Sequence, residues 1–249
     1  MTVSLLTTCM GRLHHLRRTL LPNLAACELP DTEVLVLDYG SRDGLRNWIE
    51  TDDPVRRFVG RRLTIVWMVE PPALWRANHA KNVAALCARG DVVVNVDADN
   101  FVGAGFDRTA RDLLSTGGAI AVPGRSRARC AAGRIGLRLV DFVELGGYDE
   151  EMKNWGYTDA DLRVRANRSG LESRAWPDAK GSATISHDDD ERLEHGDASN
   201  KSESYKANVA RSLANIHAGR LRANVGRRWG EARVVVDEVK ERTVGILQD

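Results

Sequence analysis

The chain has 249 residues, enough for one large α/β domain with a substantial core. Hydrophobic residues make up 43% of it and charged residues 29%, as in an ordinary globular protein. The 36 basic and 35 acidic side chains leave a formal net charge of +1, which excludes a general attraction to nucleic acid or to an anionic membrane. Any phosphate-bearing ligand must therefore be bound by a local site.

Cysteine usage and hydropathy favour a cytoplasmic protein with reduced thiols. None of the cysteines Cys9, Cys27, Cys87 and Cys130 forms a C-x-x-C pair, so zinc and redox motifs are unsupported. The N-terminus has no basic leader before a long apolar run, and no apolar stretch reaches about 18 residues. We therefore expect neither a signal peptide nor an integral membrane segment.

In the first 100 residues, short apolar runs alternate with amphipathic stretches. The predicted strands are 3–8, 33–37, 63–69 and 91–96, and the predicted helices are 12–27 (interrupted by Pro22), 44–50 and 79–88. This alternation predicts a parallel sheet covered on both faces. Ligands of such sheets bind at the carboxyl ends of the strands, which here are 7–12, 38–43, 70–81 and 97–100.

The second half has a less regular pattern. The predicted strands are 119–123, 134–139, 171–176 and 233–236, and the predicted helices are 141–145, 158–169 and 205–217. A very basic loop covers 125–129, and a polar loop covers 179–204.

Two carboxylates directly follow the Val-rich fourth strand, in Asp97-Ala98-Asp99. Residues two apart at the end of an extended strand point the same way, so both carboxylates can face the mouth of the sheet. Two hard oxygen ligands suit Mg²⁺ or Mn²⁺, which would in turn bind a diphosphate. The tripeptide also occurs by chance in many proteins, and its position after a central strand is what favours metal binding.

Polar residues at the ends of the first two strands are candidates for nucleotide contacts. Asp38 ends the second strand and could accept a hydrogen bond from a base N–H, but Asp38 and the following 40–44 also favour a plain turn. Arg12, with Thr7 and Thr8, could meet a nucleotide at the end of the first strand. Arg12 could equally be a solvated residue at a helix start.

A second cluster lies in Trp155-Gly156-Tyr157-Thr158-Asp159-Ala160-Asp161. A carboxylate at a pocket mouth can deprotonate an acceptor hydroxyl, and Asp159 is the candidate. Thr158 and Asp161 also have the spacing of a capping box, so Asp161 is open to a capping role. Trp155 offers an aromatic face for a sugar ring, although a tryptophan beside a glycine is also common in a core.

His187 precedes the acidic run 188–191. A neutral imidazole is a reasonable ligand for Mn²⁺, whereas most lone histidines in polar loops are only solvated.

The order and spacing of these pieces resemble the family-2-like glycosyltransferases with the GT-A fold. The second half is similar to the C-terminal region of the β-1,4-galactosyltransferase and polypeptide N-acetylgalactosaminyltransferase groups. The matching segments span about residues 3–190 and are Val3-Ser4-Leu5-Leu6-Thr7-Thr8 with Arg12, Val36-Leu37-Asp38-Tyr39-Gly40-Ser41-Arg42-Asp43-Gly44, Lys81-Asn82, Val94-Asn95-Val96-Asp97-Ala98-Asp99, Leu145-Gly146-Gly147-Tyr148-Asp149-Glu150 and Trp155-Gly156-Tyr157-Thr158-Asp159-Ala160-Asp161-Leu162.

The resemblance implies an α/β fold with a mostly parallel central sheet flanked by helices, in a single domain. Within it, 1–100 would form a nucleotide-binding half, 101–200 an acceptor-binding half and 201–249 a C-terminal helical extension. The implied roles are nucleotide or donor binding for Thr7, Thr8, Arg12, Asp38, Lys81, Asp97 and Asp99, metal binding for Asp97, Asp99 and His187, catalysis for Asp159 with Asp161 close by, and acceptor binding for Trp155 and Gly156.

Three departures from the family pattern bear on specificity. Asp159 stands where many relatives have Glu, and Tyr39 replaces the more usual Asn or Gly. We also expect no membrane anchor or stem before the domain, which would suggest a small-molecule or lipid-linked acceptor inside the cell.

The resulting hypothesis is an inverting, metal-dependent transfer, with Mn²⁺ or Mg²⁺ as cofactor. The donor would be a nucleoside diphosphate sugar, UDP-linked by default from the resemblance, and the acceptor a hydroxyl of a small molecule or glycan. One alternative is a sugar-phosphate nucleotidyltransferase, which usually has a Gly-rich loop after its first strand, where 7–12 has one glycine. Another is a non-catalytic nucleotide-sugar-binding module, which would not need Asp97, Asp99 and Asp159 together. No G-x-G-x-x-G follows a predicted strand, which argues against a dinucleotide-dependent oxidoreductase.

Overall fold

The computed structural model describes residues 1–124, 133–177, 180–186, 201–237 and 240–248. The strands in this part of the chain are β1 (Val3–Cys9), β2 (Glu33–Asp38), β3 (Leu63–Met68), β4 (Val92–Asn95), β5 (Asn100–Phe101), β6 (Ala119–Val122), β7 (Gly136–Arg138), β8 (Glu172–Ala175), β9 (Ala183–Thr184), β10 (Arg227–Val236) and β11 (Lys240–Gln248). The helices are α1 (Leu13–Ala26), α2 (Leu45–Thr51), α3 (Asp53–Arg56), α4 (Ala77–Cys87), α5 (Phe106–Leu114), α6 (Leu139–Glu144), α7 (Thr158–Arg168) and α8 (Lys201–His217).

Among the described residues, nine strands form one sheet in the order β11-β10-β3-β2-β1-β4-β7-β6-β8. The central strands β3, β2, β1 and β4 are parallel, whereas β7 and β10 join them antiparallel. Cys9 pairs with Asp38 and Leu6 with Asn95, so the carboxyl ends of β1, β2 and β4 lie at one edge of the sheet. The predicted α/β fold with a parallel sheet centre is confirmed.

The central strands are buried on both faces because their apolar side chains alternate between two cores. In β2, Val34 and Val36 belong to one core and Leu35 and Leu37 to the other. The first core is covered by α1, α2 and α5, and the second by α4, α6 and α7. This side-chain period of two fixes the register of the sheet.

Most predicted elements of the first half are confirmed, with bounds shifted by one or two residues. The predicted interruption at Pro22 is wrong, because α1 continues through it. Pro22 is exposed, on the side of the helix where water can satisfy the carbonyl that it leaves unpaired. The short elements α3, β5 and β9 and the helix α5 were not predicted.

The prediction of a helical extension over 201–249 is wrong for the last part of this range, which forms β10 and β11. α8 begins four residues earlier than predicted, but β10 and β11 then form an antiparallel pair, and β10 extends the main sheet at β3. The register of the β10–β11 pair shifts between Trp229 and Ala232, and Gly230 in this stretch has a positive φ of 57°. This irregularity breaks the alternation that would have marked a long strand.

The thiols of Cys9, Cys27 and Cys87 are free and buried, whereas Cys130 lies outside the described residues. No helix in the described ranges is long and apolar enough to cross a bilayer.

Asp107 in α5 is fully buried and holds the connection between α1 and β2. Its Oδ1 accepts a hydrogen bond from Glu28 N at 3.0 Å. Its Oδ2 accepts from Leu29 N at 2.8 Å and from Thr32 Oγ1 at 2.6 Å. Burial opposes ionisation of Asp107, but these hydrogen bonds outweigh it and hold its pKa below the ordinary value.

We expect Asp107→Asn to lower the free energy of unfolding by about 1–3 kcal/mol, because a buried N–H or O–H donor loses its partner. The native pKa is depressed, so this stabilisation is present above the unfolded-state value of about 4 and is lost as pH falls through the lower native value. Urea denaturation at several pH values should show a constant deficit near neutrality that shrinks on acidification. Asp112→Asn is the control on the exposed face of the same helix, and an equal effect there would contradict the assignment.

Candidate functional site

Side-chain hydrogen bonds tie together the carboxyl ends of the central strands. Thr7 Oγ1 donates to Val96 O at 2.9 Å and so joins the end of β1 to the end of β4. Ser41 Oγ donates to Cys9 O at 3.4 Å and accepts from Gly11 N at 3.2 Å. The edge of the sheet where the sequence predicts donor binding is therefore held by contacts between the ends of strands that are neighbours in the sheet.

Asp38 forms the turn after β2. Its Oδ1 accepts from Gly40 N at 3.1 Å and from Ser41 N at 2.7 Å. Burial raises the pKa of Asp38, and the hydrogen bonds of the turn oppose this shift. Gly40 has φ of 97°, and a Cβ there would lie 2.6 Å from Pro71 Cβ, so only glycine fits. The turn interpretation is confirmed, and the nucleotide contact stays a prediction.

The other predicted nucleotide residues lie at the start of α1 and the end of β1. Thr8 is half-buried near the end of β1. Arg12 is half-buried before α1, and its carbonyl accepts from His15 N and Leu16 N. Asp43, which the sequence did not single out, accepts from Leu13 N at 2.7 Å and so satisfies the first turn of α1.

Asp97 and Asp99 follow β4 as predicted. Asn95 Nδ2 donates to Asp97 Oδ1 at 3.0 Å, and Asn100 Nδ2 donates to Asp99 Oδ1 at 2.6 Å. Burial raises the pKa of Asp97, Lys81 opposes the rise, and the neighbouring acids Asp159 and Asp99 add to it.

Lys81 reaches the predicted base from α4. Its Nζ lies 2.8 Å from Asp159 Oδ1, and Tyr148 Oη donates to the same oxygen at 3.1 Å. The ammonium also lies 4.9 Å from the centre of the Tyr148 ring. Burial would lower the pKa of Lys81, but Asp159, Tyr148 and Asp97 outweigh it and raise that pKa. Lys81 is therefore a buried cation paired with acidic groups.

Asp97 and Asp159 face a common space beside Gly133. A Cβ on Gly133 would lie 2.9 Å from Asp97 Oδ2 and 3.5 Å from Asp159 Oδ2. Mg²⁺ and Mn²⁺ are often held by one or two carboxylates together with phosphate and water oxygens, so the carboxylates that follow β4 suit such a cation. Within the described ranges, no three His, Cys, Asp or Glu side chains are placed to hold a metal by themselves. His187, the predicted third ligand, and the loops 125–129 and 188–191 lie outside the described residues.

Both side-chain oxygens of Asp161 belong to a buried hydrogen-bond network with Arg165 and Ser212. Its Oδ2 accepts from Arg165 Nε at 2.7 Å, and its Oδ1 accepts from Ser212 Oγ at 2.7 Å. The capping box does not form: Tyr157 is the N-cap of α7, with no side-chain capping hydrogen bond. The expectation that Asp161 joins Asp159 in catalysis finds no geometric support, because both oxygens already have partners.

Trp155 and Gly156 contact α8. Trp155 is 41% exposed, and its backbone N–H donates to Ser204 Oγ at 3.0 Å. Gly156 has φ of 100°, and a Cβ there would lie 2.8 Å from Tyr205 Cδ2. Both residues lie where a helix packs on the start of α7, so α8 helps to shape any acceptor site beside them.

Sequence reasoning missed three residues that shape the site, namely Gly133, Tyr148 and Arg165. Tyr148 was quoted in a motif without a role, and its hydroxyl contact with Asp159 crosses from one loop to α7. Arg165 stands four residues after Asp161, which is the spacing of a helical ion pair. That signal was readable, whereas the distances to Gly133 depend on the tertiary fold.

Arg165 is buried and bridges α7 to the turn before Tyr148. Besides Asp161, it donates to Leu145 O and Gly147 O, each at 2.8 Å. We expect Arg165→Met to lower the free energy of unfolding by about 3–5 kcal/mol, because it leaves a buried carboxylate unpaired.

Chemical denaturation at neutral pH measures this loss. Arg163→Met on the exposed face of α7 is the matched control and should stay within about 0.5 kcal/mol of the parent protein. Similar losses in both variants would show that the Arg165 pair does not stabilise the fold.

Comparison with curated protein sequences finds no significant match. Residues 123–188, less than half of the chain, match the model of a family described as the N-terminal domain of galactosyltransferase.

Several solved structures are similar in fold. Mannosyltransferase PcManGT from Pyrobaculum calidifontis, in complex with GDP-Man and Mn²⁺, matches with a TM-score of 0.54 and 20% identity, over 71% of this chain and 55% of that chain. S. aureus TarS in complex with UDP matches with a TM-score of 0.59 and 16% identity, over 88% of this chain and 72% of that chain. TarS in complex with UDP-GlcNAc matches with a TM-score of 0.53 and 14% identity, over 88% and 73%. The chain thus spans about half the length of the mannosyltransferase that it matches, and it has the GT-A fold of these proteins.

Proposed function

We propose that this chain is a glycosyltransferase that moves a sugar from a nucleoside diphosphate sugar to an acceptor hydroxyl. The observation that carries this proposal is the convergence of Asp97 and Asp159 on one space beside Gly133, with Lys81 paired to Asp159. The space lies at the carboxyl ends of parallel strands, where α/β sheets bind ligands. The GT-A fold and the nucleotide-sugar complexes of similar structures support the same conclusion.

The nucleotide end of the donor is assigned to the ends of β1 and β2. Thr7, Thr8 and Arg12 belong to the first of these ends and Asp38 to the second. Asp38 is oriented by the turn N–H groups, so its carboxylate is already positioned before a base arrives. We propose UDP as the nucleotide, from the sequence resemblance and the UDP complex of TarS, while the GDP-Man complex of the mannosyltransferase makes GDP the competitor to test.

A divalent cation, Mn²⁺ or Mg²⁺, is assigned to Asp97 and Asp99, with Asp99 as the direct ligand and His187 completing the shell. When bound, it would neutralise the charge that develops on the departing diphosphate. Ile185 N donates to Asp99 O at 2.8 Å, and His187 follows Ile185 by two positions in the sequence. Two residues of chain span at most about 7 Å, so this order is compatible with a shared shell.

Asp159 is assigned as the general base. Its Oδ2 would take the acceptor hydroxyl's proton while the acceptor oxygen attacks the anomeric carbon and the nucleoside diphosphate leaves, which inverts the configuration there. Trp155 and Gly156 would meet the acceptor. Asp161, whose oxygens are held by Arg165 and Ser212, would support the helix that carries Asp159.

A thermal-shift panel tests donor and metal together. UDP-GlcNAc, UDP-galactose, UDP-glucose and GDP-mannose are compared with and without Mn²⁺, since a ligand of the native state raises its apparent stability. We expect a UDP-sugar with Mn²⁺ to raise Tm, and EDTA or Asp99→Asn to remove the increase. Asp112→Asn is the control for a lost surface charge. If no sugar nucleotide changes Tm, the proposal of donor binding is refuted. If the increase in Tm is unaffected by EDTA, the proposed metal requirement is refuted.

We expect Asp159→Asn to lower turnover by about 10²–10⁴-fold, because the amide cannot accept the proton. Its donor-induced thermal shift should persist, because the nucleotide residues are unchanged. Release of UDP in the presence of Mn²⁺ and an acceptor measures turnover. Full activity in Asp159→Asn would refute the base assignment.

A further inference from the structure

We infer that Tyr148 and Lys81 are positioning residues for Asp159: they occupy its Oδ1, so that Oδ2 is the oxygen presented to the acceptor. The catalytic consequence rests on the proposed function, whereas the geometry stands by itself. The sequence resemblance assigned no role to Tyr148 and gave Lys81 only to donor binding.

Both donors converge on one oxygen of one carboxylate. Lys81 Nζ lies 2.8 Å and Tyr148 Oη 3.1 Å from Asp159 Oδ1. The Lys81 side chain is 10% exposed and Tyr148 is 3% exposed, so water has little access to either group, whereas the Asp159 side chain is 29% exposed. Turning the carboxylate plane away from Lys81 and Tyr148 would break both bonds, so one oxygen stays with these two groups and the other stays toward Gly133.

Three hydrogen bonds from asparagine side chains hold the backbone of Tyr148. Asn82 Oδ1 accepts from Tyr148 N at 2.8 Å, and Asn82 Nδ2 donates to Tyr148 O at 3.0 Å. Asn224 Nδ2 donates to the same carbonyl at 2.8 Å, and the ring packs edge-on against Phe142. Because Asn82 follows Lys81 on α4, both donors to Asp159 are anchored to a single helix.

Arg165 fixes the remaining distance, between Tyr148 and α7. It contacts Leu145 O and Gly147 O in the turn just before Tyr148 and Asp161 in the first turns of α7. Asp161 is two residues after Asp159. The hydroxyl and the carboxylate are therefore held at a set separation by one planar guanidinium with three directed hydrogen bonds.

Lys81 and Tyr148, the two hydrogen-bond donors to Asp159, have different effects on it. Lys81 supplies the positive charge that lets Asp97 and Asp159 lie near each other. Tyr148 supplies direction, because a hydroxyl bond in addition to an ammonium bond leaves the carboxylate one orientation. Without the hydroxyl, Asp159 keeps its counter-charge but can turn about Lys81.

The test is a double-mutant cycle of Tyr148→Phe and Asp159→Asn, with Thr32→Val as the matched control. Thr32→Val also removes a buried hydroxyl bond, 2.6 Å from Thr32 Oγ1 to Asp107 Oδ2, in the connection between α1 and β2. The probe is hydrolysis of UDP-GlcNAc or GDP-mannose with Mn²⁺, water serving as the acceptor. We expect Tyr148→Phe to lower kcat about tenfold with KM within about twofold, and to have no further effect in the Asp159→Asn background.

Crystal structures of the parent protein and of Tyr148→Phe provide a readout without turnover, in which Asp159 should leave its single orientation in the variant. An unchanged Asp159 would overturn the inference. An equal fall of kcat in both backgrounds, or a fall matched by Thr32→Val, would also overturn it, because either result marks a general structural effect. If the parent protein hydrolyses neither donor, the proposed function fails for these donors and the crystal structures alone decide the inference.

Discussion

The pairing of Lys81 with Asp159, close to Asp97, is the constraint that organises this site. Asp97 and Asp159 are half-buried carboxylates that lie near one another, and like charges repel more strongly where they are partly shielded from water. Burial and the neighbouring acids raise the pKa of Asp97, and Lys81 opposes that rise. An ammonium held at 2.8 Å from Asp159 makes the arrangement possible, so α4 and α7 must both be placed to meet it.

Polar contacts place these helices as much as apolar packing does. On α4, Asn78, His79 and Asn82 are buried beside Lys81, and each has hydrogen bonds to other segments of the chain. Glu150 Oε1 accepts from Asn82 Nδ2 and from Gly230 N, so the C-terminal strand β10 also supports the site. A buried polar network specifies one arrangement of the segments that it joins where its members are satisfied, as Asn82 is on both side-chain atoms.

The sequence predicted those features whose causes are local. Val-rich β4 and the pair Asp97 and Asp99 after it could be read from period and position alone. α5 was missed although Phe106, Ala110 and Leu114 have helical spacing, because Gly103 and Gly105 before it resemble a loop. The structural match confirms the GT-A fold, while the roles implied for individual residues remain proposals.

What the sequence could not provide is the set of contacts between distant segments. T-x-x-D spacing at Thr158 and Asp161 is compatible with a capping box, and only the structure shows that Arg165 takes the carboxylate instead. The contact of Tyr148 with Asp159 likewise depends on how a loop meets α7, and no periodicity encodes that meeting.

The proposed donor and acceptor sides of the site are built in different ways. The proposed donor side consists of strand ends with short hydrogen-bonded turns, such as the one at Asp38, whose geometry the sheet register fixes. The proposed acceptor side at Trp155 and Gly156 depends on the packing of α8, through Ser204 and Tyr205. A change in α8 can therefore reshape the surroundings of Trp155 and Gly156 while Asp38 and the strand ends keep their register. In the proposed function, this separation would allow acceptor choice to vary while the donor side stays unchanged.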